Sequence, residues 1–329
     1  MPQTQDQQPH ALDFDAAIGF LDAGDDFLIT SHVNSDGDGI GACLALVHLL
    51  GQRDKRARVV LNDMPDDPLD FLGRWEEIHE AVESPGETAP YAIVADCPNL
   101  DRIGRVQAYF GDDTRILNID HHMDNAAFGE VNLVSAEVSS TCELLYHLFG
   151  AMQAEFDREL AEDLYTGIIY DTGCFRYSLT KATSLEVGAA LVRCGARLDY
   201  LADQLYNRCA FGAVKVSGLA IDSLELYGDG KIAVMHLDHE QMQVGDAEEA
   251  VNYGLMVKGV EASVILKEER PGYYRLSLRS RDAVDVREVA ASFGGGGHAR
   301  AAGCRIEGDR DAVQQAVLSK LEDAVREEA

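Results

Sequence analysis

The stretch "FLITSHVNSDGDGIGACLALV", residues 27–47, sets an apolar run, a polar loop and a helical pattern end to end. Its first four residues are short and apolar, as a strand buried on both faces must be. Beyond the loop, Ile40, Leu44, Val47 and Leu50 recur at helical spacing. Between the two, His32, Asp36 and Asp38 crowd a loop that also holds Gly37, Gly39 and Gly41. Neighbouring carboxylates repel, so this is either a solvated turn or the seat of something positive. Strand, loop and helix in this order open a parallel α/β sheet.

The rest of the first half repeats the unit. Residues 58–61, "YAIVAD" (91–96) and "RILNID" (115–120) read as strands, and 139–152 and 157–171 as helices. Ser139 or Ser140, with Glu143 downstream, makes an N-cap box for the first of those helices. Residues 183–224 are mostly helical. In the last third, "KIAVMHLD", "ASVILKEE" and "YYRLSLRS" resemble strands punctuated by "GDG" and "RPG", before a glycine cluster and a closing helix. The expected fold is α/β: an N-terminal domain with a parallel sheet and helices on both faces, and a smaller α+β C-terminal domain. The site is expected in the cleft between them. The expected boundaries are a disordered tail over 1–12, a catalytic domain over 13–185, a helical connector over 186–224 and a second domain over 225–329.

Composition narrows the class. A hydrophobic fraction of 46% and a charged fraction of 26% are those of a soluble globular chain. The start, "MPQTQDQQPH", is polar, and no run approaches the roughly 18 apolar residues of a membrane span. A cytoplasmic location is expected. The seven cysteines form no C-x-x-C pair, which argues against a disulfide framework or a sulfur-built zinc site. The net charge of −29 opposes undirected affinity for long nucleic acid. Acid excess with scarce lysine also fits a protein kept soluble in high salt, an ordinary acidic cytoplasmic protein being the alternative. Within residues 270–305, however, seven arginines face three acids, so that segment is +4 and the remainder −33. A basic island on an acidic chain marks where an anion docks.

Three acidic clusters follow strands at their C-terminal ends: Asp36 and Asp38, then Asp96, then Asp120-His121-His122. Open parallel sheets gather ligand-binding groups at that edge. Asp171 closes a helix shortly before Gly173 and can point into the same crevice. Taken singly, each has a bland reading as a turn, a helix cap or a structural histidine pair. Taken together, His32, Asp36, Asp38, Asp96, His121, His122 and Asp171 need a counter-charge. Oxygen and imidazole donors suit Mn²⁺, Mg²⁺ or Fe²⁺.

These residues resemble the DHH phosphoesterases, a family named for the triplet seen here at 120–122. "HVNSDGDGIG", "VADCPNLDRIG", "NIDHH" and "YTGIIYDTGCFRY" are similar to its four motifs in order, and "SLRSR" with "FGGGGHARAAG" to its associated C-terminal domain. The resemblance spans nearly the whole chain. It implies two divalent ions, Mn²⁺ foremost, with His32 and Asp36 on one, Asp38 and His121 on the other, and Asp96 and Asp171 shared. His122 would contact the reacting phosphate without ligating, and Asp96 and His122 would be the catalytic pair. Ser35 stands where the family usually has proline, which implies a softer loop.

Two ions can share and activate a water for in-line displacement at phosphorus. The C-terminal domain would grip substrate through Arg279, Ser280, Gly295, Gly296, Gly297 and His298, the glycines exposing backbone N–H groups to an anion. Length, and the absence of a sensor or additional oligonucleotide-binding domain, resemble the compact family members that hydrolyse short oligoribonucleotides (nanoRNA) to mononucleotides and pAp to AMP and phosphate. The partners implied are those small nucleotides, with no membrane and no long duplex, and a homodimer is an allowed assembly. The nearest alternative is a cyclic di-AMP or pApA phosphodiesterase on the same two domains. A non-catalytic nucleotide-sensing module is the second, and its signature, a missing ligand, is not seen.

Overall fold

The computed structural model describes residues 14–65, 69–245, 247–281 and 284–327. The expected tail over 1–12 lies outside the described residues. The chain divides into two compact units, Met1–Arg208 and Cys209–Ala329. That division falls inside the segment read as a helical connector.

In the first unit the elements run α1 (Asp15–Ala23), β1 (Phe27–Thr30), α2 (Gly37–Gln52), β2 (Ala57–Leu61), β3 (Ile78–Glu80) and β4 (Tyr91–Ala95). They continue through β5 (Arg115–Asp120), β6 (Val131–Val134), α3 (Thr141–Ala151), α4 (Arg158–Asp171), α5 (Ala182–Arg193) and α6 (Leu198–Tyr206). The six strands lie in the order β3-β2-β1-β4-β5-β6, and every pair is parallel. Alternation along each strand builds two cores. Phe27, Ile29, Val59, Leu61, Ile93 and Ala95 pack with the α-helices on one face. Leu28, Val60 and Val94 pack with Ile103, Val106 and Tyr109 on the other. There the cover is a 3₁₀ segment, Leu100–Tyr109, kinked at Gly104 where φ is 58°. A sequence with strands this short and apolar does not reveal which face takes which cover.

The order reverses at β1, which has β2 on one side and β4 on the other. This switch opens a crevice at the C-terminal strand ends. Behind it α2 and α4 approach closely through glycines. A Cβ on Gly41 would lie 2.5 Å from the Asp163 carbonyl oxygen, and one on Gly167 would lie 2.4 Å from Asp38 Oδ1. Only a residue without a side chain fits such backbone approaches. At the start of α3, Ser140 is the N-cap and accepts from the Glu143 N–H, while Glu143 accepts from the Ser139 N–H and hydroxyl. Both serines of the expected cap box are therefore used.

The second unit comprises α7 (Phe211–Asp222), β7 (Glu225–Tyr227), β8 (Ile232–Leu237), α8 (His239–Met242), α9 (Val251–Met256) and β9 (Ala262–Arg270). It ends with β10 (Tyr273–Ser280), α10 (Val286–Ala291), β11 (Gly296–His298), β12 (Ala301–Glu307) and α11 (Arg310–Glu327). Its sheet runs β11-β12-β10-β9-β8-β7, with β8 and β9 parallel and the other neighbours antiparallel. Leu276, Leu278, Val264 and Ala302 face a core shared with α10 and α11. Met235, Ile265, Val216 and Val251 form a smaller core on the opposite face.

Asp163 in α4 is fully buried, and neither carboxylate oxygen has a hydrogen-bond partner among the described residues. Burial, reinforced by Glu159, Glu162 and Asp157 and only partly opposed by Arg74, pushes its carboxyl well above the ordinary range. The folded state thus holds a proton that the unfolded chain releases above about pH 4. The stability involved is present in acid and is lost as pH rises. Asp163→Asn removes the titration without changing shape. Its melting temperature should exceed the wild type's by a margin that widens between pH 4.5 and pH 7.5; a constant margin would show that Asp163 is ionised in the fold.

Candidate metal centre

Seven side chains, from the ends of β1, β4 and β5, the start of α2 and the end of α4, meet at the switch point. His32 follows β1 and is 7% exposed, its Nδ1 2.8 Å from the Val33 carbonyl oxygen and its Nε2 3.6 Å from Asp96 Oδ2. Asp36 is the N-cap of α2, accepting through Oδ1 from the N–H groups of Asp38 (3.0 Å) and Gly39 (3.3 Å). That cap bends the loop so that Asp36 and Asp38 share one side. Asp38 has no exposed surface and accepts from the N–H groups of Thr141 (2.6 Å) and Cys142 (2.9 Å) at the start of α3. The positive end of a helix dipole makes that a favourable seat for a carboxylate.

Asp96 follows β4 with a left-handed φ of 52°, uncommon outside glycine and typical of held functional positions. Its N–H donates to the Ile119 carbonyl (2.9 Å) and it accepts from Thr141 Oγ1 (3.1 Å). Asp171 is the last residue of α4, whose terminal Ile169 carbonyl accepts from the Tyr206 hydroxyl at 2.6 Å. His121 Nε2 lies 3.1 Å from Asp171 Oδ2 and 3.6 Å from Asp96 Oδ1.

Within the triplet that ends β5, the three residues do different things. Asp120 is fully buried; its Oδ1 accepts from the His121 N–H (2.9 Å) and lies 2.7 Å from His122 Nδ1. Asn125 donates to Asp120 Oδ2 (2.6 Å) and to Asn118 (2.8 Å), and Asn118 donates to the Val94 and Cys97 carbonyls. The His122 ring is thereby oriented by a chain of hydrogen bonds that runs through buried Asp120 and Asn118 back to β4. Asp120, Asn118, Asn125 and Thr141 were assigned no role from the sequence. Only the position of Asp120 at a strand end was a signal for any of them.

The electrostatics are those of a site lacking positive charge. Burial and then Asp96 push Asp38 up to about 7, and the same causes raise Asp36. Burial and then Asp38 raise Asp171 strongly. Burial works to lower the imidazoles, yet the hydrogen bond and charge of Asp96 carry His32 up to about 9, and Asp171 with Asp96 carries His121 up to about 10. Asp96 is held well below the carboxylate range, because the His32 hydrogen bond and the His121 charge outweigh its burial. Three donor triads have ligand atoms within 4.8 Å of one another: His32-Asp36-Asp96, Asp38-His121-Asp171 and Asp96-His121-His122. Carboxylate and imidazole donors in this number fit divalent cations.

The other expected site residues lie in the second unit. Arg279, Gly295, Gly296 and Gly297 line one cavity of about 570 Å³. Ser280 is buried, its hydroxyl donating to the Val284 carbonyl, and is not among the lining residues. The His298 side chain lies outside the described residues. Arg281 and Arg300 donate to the Val260 and Val284 carbonyls. Cys97 donates to the Asn99 carbonyl and is pushed up to about 12 by burial, as for a packing residue.

Comparison with known proteins agrees with this arrangement. Residues 26–168 match the N-terminal domain of the DHH family, and 229–327 match the DHHA1 domain. The chain is 32% identical to the "Bifunctional oligoribonuclease and PAP phosphatase NrnA" of Thermus thermophilus, over 91% of this chain and 89% of that one. It is 26% identical to the protein of that name from Bacillus subtilis, covering 92% and 96%. An exopolyphosphatase-related protein from Bacteroides fragilis superposes with a TM-score of 0.87 at 27% identity, over 95% of this chain and 97% of that one.

Gly167→Ala should drive a methyl group into Asp38 Oδ1 and Cys142 Sγ, each 2.4 Å from the added Cβ. Calorimetric Mn²⁺ affinity should fall about 10- to 100-fold, as for disturbed support of a ligand, with far-UV circular dichroism unchanged. Full retention of affinity would mean that Asp38 does not hold metal.

Proposed function

The chain belongs to the DHH family, and on that footing we propose that it is a metal-dependent phosphoesterase that hydrolyses short oligoribonucleotides to mononucleotides and pAp to AMP and phosphate. The observation that carries the reading is the convergence of His32, Asp36, Asp38, Asp96, His121 and Asp171, with none missing, in three triads. Similarity along almost the full length of relatives named for both activities supports the substrate class. The ion proposed is Mn²⁺, with Mg²⁺ or Fe²⁺ as alternatives, and the setting is the cytoplasm. Among the described residues no helix is long and apolar enough to cross a membrane.

Those six residues would hold two divalent ions, which would supply an activated water and offset charge on the phosphoryl oxygens. The chain's own groups do the rest. Asp36, braced by N–H groups of α2, and Asp38, braced by those of α3, are pre-set as ligands, so little ordering remains when metal arrives. Asp96 carries the lowest-titrating carboxyl of the cluster and remains an anionic acceptor across the physiological range. His122, turned by Asp120, contacts the reacting phosphate and places a proton near the leaving oxygen. In the second unit Arg279 and the glycines of 295–297 hold the nucleotide, a guanidinium and exposed backbone N–H groups being apt for phosphate.

Chelation with EDTA should abolish turnover of pAp and of a trinucleotide RNA, and Mn²⁺ should restore it. Asp96→Ala should lose at least about 100-fold in kcat and not be restored by Mn²⁺. Cyclic di-AMP should be the slowest of pAp, trinucleotide, pApA and cyclic di-AMP; its dominance would transfer the assignment to a cyclic dinucleotide phosphodiesterase. Arg279→Ala should raise KM for dinucleotides about tenfold, and leave a chromogenic phosphodiester lacking a second nucleotide within twofold. Equal losses on both would remove Arg279 from substrate binding.

A further inference from the structure

From the stretch "YTGIIYDTGCFRY", residues 165–177, the metal centre takes only Asp171. Directly after that ligand the backbone turns left-handed at three successive residues, Gly173 (φ 55°), Cys174 (58°) and Phe175 (64°). Residues with a side chain visit this region singly and at a cost, and such strain gathers at functional positions. Thr172, fully buried, holds the turn. Its hydroxyl donates to the Ile168 carbonyl (2.5 Å) and accepts from the Phe175 N–H (3.1 Å). Its carbonyl accepts from the N–H groups of Arg176 (2.8 Å) and Tyr177 (2.9 Å). Phe175 packs inward, its ring 6.3 Å from that of Tyr165. Arg176 and Tyr177 are thereby left exposed.

Both exposed side chains are held in place without being used up. The Arg176 Nε donates to the Gly173 carbonyl (2.6 Å), and its guanidinium carbon lies 5.8 Å from the centroid of the Tyr206 ring. Tyr206 is itself tied to the end of α4, its hydroxyl donating to the Ile169 carbonyl at 2.6 Å. Burial and then Tyr177 push that phenol up, with Arg176 opposing the shift and Asp171 adding to it, so guanidinium and metal ligand act on one hydroxyl. A carbonyl and a ring face fix a guanidinium without neutralising it. In the same unit Arg56, Arg74, Arg105, Arg115 and Arg197 each bridge a carboxylate. Arg176 has no carboxylate within 4 Å among the described residues, which leaves its terminal nitrogens for a phosphate. Tyr177 stands next to it and is 55% exposed. A Cβ on Gly173 would lie 2.4 Å from Cε2 and Cζ of the Tyr177 ring, so the glycine backbone supports the ring from one side. A ring supported on one side and open to solvent is a stacking platform for a base.

We propose that the left-handed turn presents Arg176 and Tyr177 as a nucleotide-recognition pair beside the metal centre, the guanidinium taking a phosphate oxygen and the tyrosine ring stacking on the base. This deepens the phosphoesterase reading and rests on it for the ligand class. The pair favours a nucleotide over inorganic phosphate, because the base supplies a π-face that phosphate alone does not.

The test is calorimetric titration of the full chain, loaded with Mn²⁺, with AMP and with inorganic phosphate. The wild type should bind AMP more tightly than phosphate. Arg176→Gln should weaken both ligands about tenfold, as expected for one lost charged hydrogen bond. Tyr177→Ala should weaken AMP about tenfold and leave phosphate within twofold, the mark of one lost base stack. Tyr177→Phe keeps the ring and should bind AMP as the wild type does. All three variants should keep the wild-type Mn²⁺ affinity within twofold, which a merely structural role beside Asp171 would lower. Unchanged AMP affinity in Arg176→Gln or Tyr177→Ala, equal losses of AMP and phosphate in Tyr177→Ala, weakened AMP in Tyr177→Phe or a fall in Mn²⁺ affinity would overturn the proposal. So would a wild type that binds AMP no more tightly than phosphate. Binding of a product does not require turnover, so AMP bound in this pattern while pAp and RNA stay intact counts against the catalytic reading alone.

Discussion

Asp38 is a carboxylate with no exposed surface, and the first N–H groups of α3 are what hold it there. That contact ties the β1–α2 loop to a helix more than 100 residues away in sequence. It in turn demands a glycine at 167, because α4 passes so close to Asp38 that a methyl group would collide. The partial positive charge of a helix end offsets one carboxylate in part. It cannot offset Asp36, Asp96 and Asp171 as well, of which Asp36 groups with His32, Asp171 with His121 and Asp96 with both. The upward drive on Asp36, Asp38 and Asp171 and the raised imidazoles are one fact seen from two sides: buried carboxylates this close favour positive charge among them.

The triplet at the end of β5 divides its labour by geometry. His121 Nε2 approaches Asp171 and Asp96, whereas His122 Nδ1 lies 2.7 Å from Asp120 Oδ1 and 3.7 Å from Asp96 Oδ1. Asp120 acts as a positioning residue for His122, anchored through Asn125 and Asn118 to the β4 backbone. A buried chain of this kind is rigid because every member is satisfied, and breaking any link would expose an unpaired polar group.

Charge is divided as sharply. The cluster that assembles in the first unit is acidic, and the basic island of 270–305 lies in the second. The average field of the protein repels a long polyanion, so recognition of phosphate has to be local and short-ranged. A small nucleotide suits that arrangement better than a long strand. The shape of the cavity over β10 and β12, bare because Ala301 and Gly303 oppose Arg279 and Ser277, is what makes such recognition local.

How far the primary structure reaches can be judged residue by residue. Four of the strands, the helices around the site and the seven site residues of the first unit are legible, because period and strand-end position are local properties, and parallel sheets put strand ends together by topology. The strands β6 and β3 are not, since in each only one residue (Leu133 and Ile78) is buried and neither shows the continuous apolar run that marks β1. Ser280, expected to grip substrate, is instead turned inward to the Val284 carbonyl. The parts played by Asp120, Asn125 and Thr141 depend on hydrogen-bond partners supplied by other elements, which no spacing encodes. The sequence by itself thus determined the fold class and which groups are acidic at the sheet edge. Only the tertiary structure decided which of them face one another and which are held by a helix end, because burial and pairing are set by neighbours distant along the chain.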